Sequence, residues 1–281
     1  MVQTEFTDAA LILVGHGSTV NSDSSRPVYQ HAAELRRRGI FASVREAFWK
    51  QEPQIKGVVA DSSFRRVFIV PVFISEGYFS EEVIPAALGF QNLQAGTSAR
   101  VQTKGGQKIF YCKSIGSHDS MTGVLLARAR QVVEQAPFPR PPSPKETTLF
   151  ICGHGTSQNE SSRQAIERQV QIISNKQIYG AVHGVYLEEP PRVETCYELA
   201  KTRNIVVVPF FISDGLHTQE DIPVLLGEPK RIVDQRLHSG QTTWRNPTER
   251  KSKLVWYSSS IGSEPHIADV ILERVQEAAR W

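Results

Sequence analysis

The sequence predicts an α/β protein of two tandem homologous doubly wound domains, each a parallel sheet of about four strands flanked by helices. Three observations predict it. The chain repeats itself at one constant offset. Strand-like and helix-like segments alternate within each repeat. The strand-like segments are continuous apolar runs, which is how strands covered on both faces read.

The repeat bounds every other reading. His16, in Leu11-Ile12-Leu13-Val14-Gly15-His16-Gly17-Ser18, and His154, in Thr148-Leu149-Phe150-Ile151-Cys152-Gly153-His154-Gly155-Thr156, lie 138 residues apart. The same offset relates Val70-Pro71-Val72-Phe73-Ile74-Ser75-Glu76-Gly77 to Val208-Pro209-Phe210-Phe211-Ile212-Ser213-Asp214-Gly215. It also relates Ile84-Pro85 to Ile222-Pro223, Asn21 to Asn159 and Pro53 to Pro191. Later, Ser114-Ile115-Gly116-Ser117 matches Ser260-Ile261-Gly262-Ser263 at an offset of 146, so eight extra residues precede the last strand of the second copy.

Within the first copy, the apolar run 10–14 reads as a buried strand, and 27–38 as a helix whose Arg36-Arg37-Arg38 end suits the helix dipole. Strands follow at 41–48, 67–73 and 108–112, and helices at 54–60, 80–88 and 120–134. The second copy repeats this order. Between the copies stands Gln135-Ala136-Pro137-Phe138-Pro139-Arg140-Pro141-Pro142-Ser143-Pro144-Lys145, whose five prolines make a semi-rigid extended linker. The expected boundaries are residues 1–135 for the first domain, 136–145 for the linker and 146–281 for the second domain.

Composition narrows the class. Of 281 residues 40% are hydrophobic and 22% charged, the profile of a globular protein with room for two cores. No apolar run approaches the ~18 residues of a membrane span. The start, Met1-Val2-Gln3-Thr4-Glu5-Phe6, lacks a basic and then apolar leader, so a cytoplasmic protein is expected. A net charge of +3 is too mild to point to nucleic acid and would suit a small polyanionic ligand. Cys112, Cys152 and Cys196 are far apart and odd in number, which suggests buried reduced thiols rather than disulfides or a metal cage.

In doubly wound sheets, ligands bind outside the carboxyl ends of the strands. Three features of the second copy fall there: Gly153-His154-Gly155 after its first strand, Glu188 after its second, and Asp214-Gly215-Leu216-His217 after its third. Glycine on both sides of His154 lets the chain turn sharply and a flat ligand approach closely. Thr156 or Asn159 would cap the next helix. The first copy keeps His16 but has Phe79 at the position of His217 and Lys50 at that of Glu188. Two-histidine chemistry therefore belongs to the second copy. Glu189 and Asp214 are competing carboxylates; Asp214 matches Glu76, which suits a scaffold role as well as catalysis. His183, His238 and His266 read as ordinary surface or core histidines.

Together, Gly153-His154-Gly155-Thr156, Tyr186-Leu187-Glu188 and the stretch from Pro209 through His217 to Asp221-Ile222-Pro223 resemble the class II tetrapyrrole chelatases, in particular the sirohydrochlorin cobalt- and iron-chelatases. The resemblance spans both copies. It implies two facing α/β lobes holding a tetrapyrrole, with His154 and His217 as metal ligands and proton acceptors; on chemical grounds Glu188 is expected to orient an imidazole or receive a proton. It also implies Co²⁺ or Fe²⁺ as a substrate, no organic cofactor, and a cleft complete within one chain, so that a monomer suffices. His16, Gly153, Gly155 and Asp214 are further candidates for substrate contact, with Lys50 and Arg45 at the periphery. The alternative in another class is a metal or tetrapyrrole carrier on a degenerate chelatase scaffold. A histidine phosphatase would place Arg before the rim histidine, where this chain has Gly15 and Gly153.

Overall fold

The computed structural model describes residues 6–19, 22–155 and 160–281. Asn21, Asn159 and Thr156, including the two residues expected to cap a helix, lie outside the described residues.

The first repeat runs β1 (Ala9–Gly15), α1 (Arg26–Arg38), β2 (Ser43–Phe48), α2 (Ile55–Ala60), β3 (Arg66–Pro71), α3 (Ile84–Leu88), β4 (Val101–Lys104), β5 (Gln107–Tyr111) and α4 (Met121–Gln135). The second runs β6 (Thr147–Gly153), α5 (Ser161–Asn175), β7 (Ala181–Tyr186), α6 (Cys196–Leu199), β8 (Asn204–Pro209), α7 (Ile222–Leu225), α8 (Lys230–His238), β9 (Thr248–Arg250), β10 (Lys253–Tyr257) and α9 (Ile267–Ala278). The sheet orders are β2-β1-β3-β5-β4 and β7-β6-β8-β10-β9. The central strands β1 and β6 are buried throughout, as their unbroken apolar runs require.

Each sheet holds the four expected parallel strands and a fifth. β4 pairs antiparallel with β5, and β9 with β10, so a hairpin closes that edge. Gly105 and Gly106, both at positive φ (57° and 81°), make the tight turn of the first hairpin. These edge strands are short and polar, so no apolar run announces them. Where the first repeat has only short turns ahead of its hairpin, the eight-residue insertion of the second accompanies α8.

The compact units differ from the sequence repeats. One unit is Met1–His118 with Pro265–Trp281; the other is Asp119–Glu264. Helix α9 thus completes the first unit: Arg274 donates from Nε to the Ser114 carbonyl (2.9 Å) and from Nη2 to Ser117 Oγ (2.7 Å). Helix α4 completes the second, through Thr122 with Gln169 (2.6 Å) and Arg128 with Ser263 Oγ (3.0 Å). The Trp256 indole donates to the Ala136 carbonyl (2.8 Å), so the proline-rich segment starts on the second unit. The compact units thus exchange their last helices relative to the repeats bounded at 135 and 146. Internal similarity locates where a copy begins, whereas packing decides which sheet its last helix covers.

All three cysteines are buried and free. Burial raises every thiol, pushing Cys112 and Cys196 to about 12, so they are inert core residues. The arginine run is spent on ion pairs: Arg36 with Glu46, Arg37 and Arg38 with Glu34. Among the described residues no helix is long and apolar enough to cross a membrane.

Candidate metal centre

His154 leaves the end of β6 between two glycines that have little room for side chains. A Cβ on Gly153 would lie 2.1 Å from Ile166 Cδ1 on α5. One on Gly155, at φ +65°, would lie 2.7 Å from both Tyr186 Cβ and Glu189 Cγ. This close approach lets the His154 carbonyl accept the amides of Leu187 (3.0 Å) and Glu188 (3.1 Å). The Glu188 backbone is held there, and its exposed carboxylate lies beside the imidazole with Oε1 3.7 Å from His154 Nε2.

His217 arrives from the next strand end. Instead of the plain helix expected, the chain makes a π-helical turn at His217–Asp221, with the Ile222 amide donating back to the His217 carbonyl. Such wide turns recur at functional sites. The two imidazole rings meet edge to face, centroids 4.9 Å apart and planes at 82°. Both side chains are partly open to solvent, at 37% for His154 and 47% for His217.

The partners of the two Nδ1 atoms define the tautomers. His154 Nδ1 lies 3.2 Å from the Gly155 carbonyl and His217 Nδ1 2.7 Å from Asp221 Oδ2. Carbonyl and carboxylate oxygens only accept, so each Nδ1 is the donor in these contacts. Neutral imidazoles of this kind suit divalent transition ions. No group of three His, Cys, Asp or Glu able to hold a metal occurs among the described residues.

The first unit is an internal control. His16 Nδ1 meets the Gly17 carbonyl at 3.0 Å, as His154 meets Gly155. The Phe79 ring lies at 4.7 Å and 89° to His16, nearly the pose of His217 against His154. Its turn, Phe79–Val83, is also π-helical. Burial first, then the Lys50 ammonium, holds His16 below its ordinary value against the opposing pull of the Gly17 carbonyl. The backbone of the site is thus duplicated, while the second imidazole and the acid are not.

His154, His217 and Glu188 come together as the sequence pattern suggested. Asp214 is engaged by the scaffold: its Oδ1 accepts the Ser260 amide (2.8 Å), just as Glu76 accepts Ser117 Oγ (2.6 Å). Glu189 is held by Arg163 (3.1 Å), and Arg45 reaches the Val58 carbonyl (3.4 Å). His183 stacks on Phe150 and His238 bonds the Asp234 carbonyl, so both act elsewhere. Asp221 is the site residue missed. Its signal was available, because the first repeat has Val83 where the second has Asp221 and Phe79 where it has His217. The pair changes together at i, i+4.

The CbiX family profile matches this chain twice, over residues 10–132 and 148–278. A Halobacterium salinarum protein named probable sirohydrochlorin cobaltochelatase is 40% identical over 279 residues, covering 96% of this chain and 91% of its own length. The sirohydrochlorin cobaltochelatase of Methanopyrus kandleri is 31% identical over 138 residues, 46% of this chain and 95% of its own. Among solved structures, a multi-domain Deinococcus radiodurans protein described as similar to chelatases superposes with a TM-score of 0.78 at 25% identity. That match covers 96% of this chain and 55% of the other. SirB from Bacillus subtilis with Fe³⁺ has a TM-score of 0.68 at 16% identity, covering 96% and 95%, a likeness of fold.

Proposed function

The chain belongs to the CbiX family, and on that premise we propose that it inserts Co²⁺ or Fe²⁺ into sirohydrochlorin or a related tetrapyrrole, with His154 and His217 as metal ligands and proton acceptors. One observation carries the assignment of residues: the two imidazole centroids stand 4.9 Å apart, each ring engaged through Nδ1 by an oxygen of the protein.

Insertion exchanges two pyrrole N–H protons for one divalent ion, so the site must deliver the metal to the ring face and take protons away. A neutral imidazole, with an ordinary pKa near ~6.5, does both at neutral pH. Glu188, 3.7 Å from His154 Nε2, is placed to receive a proton from that ring or to hold it once charged. Asp221 positions His217 and stabilises it when it becomes imidazolium. Gly153 and Gly155 leave the strand end without side chains, so a flat macrocycle can come close to the histidines.

Anaerobic incubation with sirohydrochlorin and Co²⁺ or Fe²⁺, followed by the absorption change of the macrocycle, tests the reading. Acceleration over the protein-free rate is expected. Tight binding without acceleration would favour a carrier instead.

A further inference from the structure

A second feature of the Asp119–Glu264 unit lies beside the histidines and is not part of them. A cavity of about 640 Å³ opens between α4, the segment after α8 and the end of β10. Its walls include Thr218 and Gln219, the residues that follow His217 in the π-helical turn. It is lined mostly by amides and hydroxyls, together with Trp244, Asp214 and the side chain of Arg128.

Arg128 is 6% exposed, and its charge is incompletely met. Nη1 donates to Gln131 Oε1 (2.7 Å) and Nη2 to Ser263 Oγ (3.0 Å), both neutral, while Nε has no hydrogen-bond partner among the described residues. Burial works against the charge; Glu264 and Asp214 favour it from further off. A buried cation served, among the described residues, by neutral groups at hydrogen-bond distance is costly and invites an anion.

The other repeat shows what closes such a space. Its counterpart of Arg128 is Arg274, whose Nη1 pairs with Glu277 (2.7 Å) and whose Nε meets the Ser114 carbonyl. The residue matching Glu277 is Gln131. There too, buried Arg100 spans from Glu81 to the Cys112 carbonyl. By the 138 and 146 offsets, the positions of Glu81, Cys112 and Arg100 become Gln219, Ser258 and Asn246, all three on the cavity wall. Asn246 turns instead to the backbone of Tyr257 (2.7 and 2.8 Å). An ion pair fills the space in one unit; in the other it is open and keeps a cation.

We propose that this cavity is a carboxylate pocket that seats an acetate or propionate arm of the tetrapyrrole against Arg128. It rests on the reading of the chain as a sirohydrochlorin chelatase. The test is equilibrium binding of metal-free sirohydrochlorin, followed by its fluorescence, to the wild type, Arg128→Gln and Gln131→Glu. The last variant gives Arg128 the carboxylate partner that Arg274 already has, so it keeps the fold even where Arg128→Gln does not. Loss of a charge-assisted contact predicts affinity weakened about ten-fold or more in both. Wild-type affinity in Gln131→Glu overturns the proposal. So does weakened binding of free succinate with sirohydrochlorin binding intact, which would make this a separate small-acid site. Weakened binding in both variants, in a wild type that does not accelerate insertion, would keep the pocket and sink the chelatase reading.

Discussion

Asp221 accepts the Nδ1 hydrogen of His217 at 2.7 Å and so orients the ring and holds Nδ1 as its donor. Replacing it with Asn removes the charge that supports imidazolium and allows the ring to turn over. Partners of this kind are worth about 10–100-fold in metal affinity or activity, and Asp221→Asn is expected to lower the insertion rate by that much, with Asp221→Glu recovering part. Steady-state rates across cobalt concentrations check it. In the first unit the sign of an electrostatic effect is open to measurement. Lys50 disfavours protonated His16, so Lys50→Met raises the His16 pKa; the value stays below normal because burial, the larger cause, remains. Titration of the His16 ring signals by NMR reads the shift, and a fall would contradict the assignment. At this scale the meeting of His154 with His217 and Glu188 was legible, because the repeat keeps His16 but replaces the other two with Phe79 and Lys50. The same comparison marks Asp221 through its paired change with His217, although an acid near a helix start also has an ordinary explanation in the helix dipole. Only the turn geometry shows which side chain it serves.

The element that carries His217 depends on Thr218. Its hydroxyl accepts the Gly215 amide (2.9 Å) and donates to the Gly215 carbonyl (3.1 Å), as Ser80 does at Gly77 (2.9 and 3.2 Å). Thr218 is 4% exposed, and Thr218→Val removes both hydrogen bonds that tie the turn to Gly215. The expected cost is about 1–3 kcal/mol in urea unfolding, with Thr218→Ser close to wild type. A loss well under that range would mean the turn is held by other contacts. Strands and long helices were legible here from apolar runs, since β1 and β6 lie wholly inside. The π-helical turns were not, because one residue of extra winding leaves no mark in composition. β4 and β9 escaped because edge strands of four and three residues need little apolar surface.

Duplication governs the whole molecule, yet the two compact units are not the two halves of the chain. Helix α9 lies at the end of the second repeat and belongs to the first unit. It buries Ile267, Val270, Ile271 and Val275 there, each at most 1% exposed. At about 1.5–3 kcal/mol per side chain, these four contribute roughly 6–12 kcal/mol, comparable with the total stability of a typical domain. A chain ending at Glu264 should therefore lose hydrogen-exchange protection in β1 and β3 while β6 and β8 keep theirs. Loss confined to β6 and β8 would refute the division. The sequence carried the repeat itself without ambiguity, because one offset matched many residues. It was silent on the helix exchange, which depends on which sheet offers the complementary face.

The same duplication supplies the most direct test of the central claim, that chemistry resides in the second repeat at His154 and His217. His217 and Phe79 occupy equivalent turns and present their rings to equivalent histidines. Anaerobic cobalt insertion into sirohydrochlorin should be measured for the wild type, His217→Ala and Phe79→Ala side by side. The account predicts a fall of about 100-fold or more for His217→Ala, the scale of losing a positioned proton acceptor, and a rate close to wild type for Phe79→Ala. Equal losses in the two variants, or an unchanged rate in His217→Ala, would contradict it.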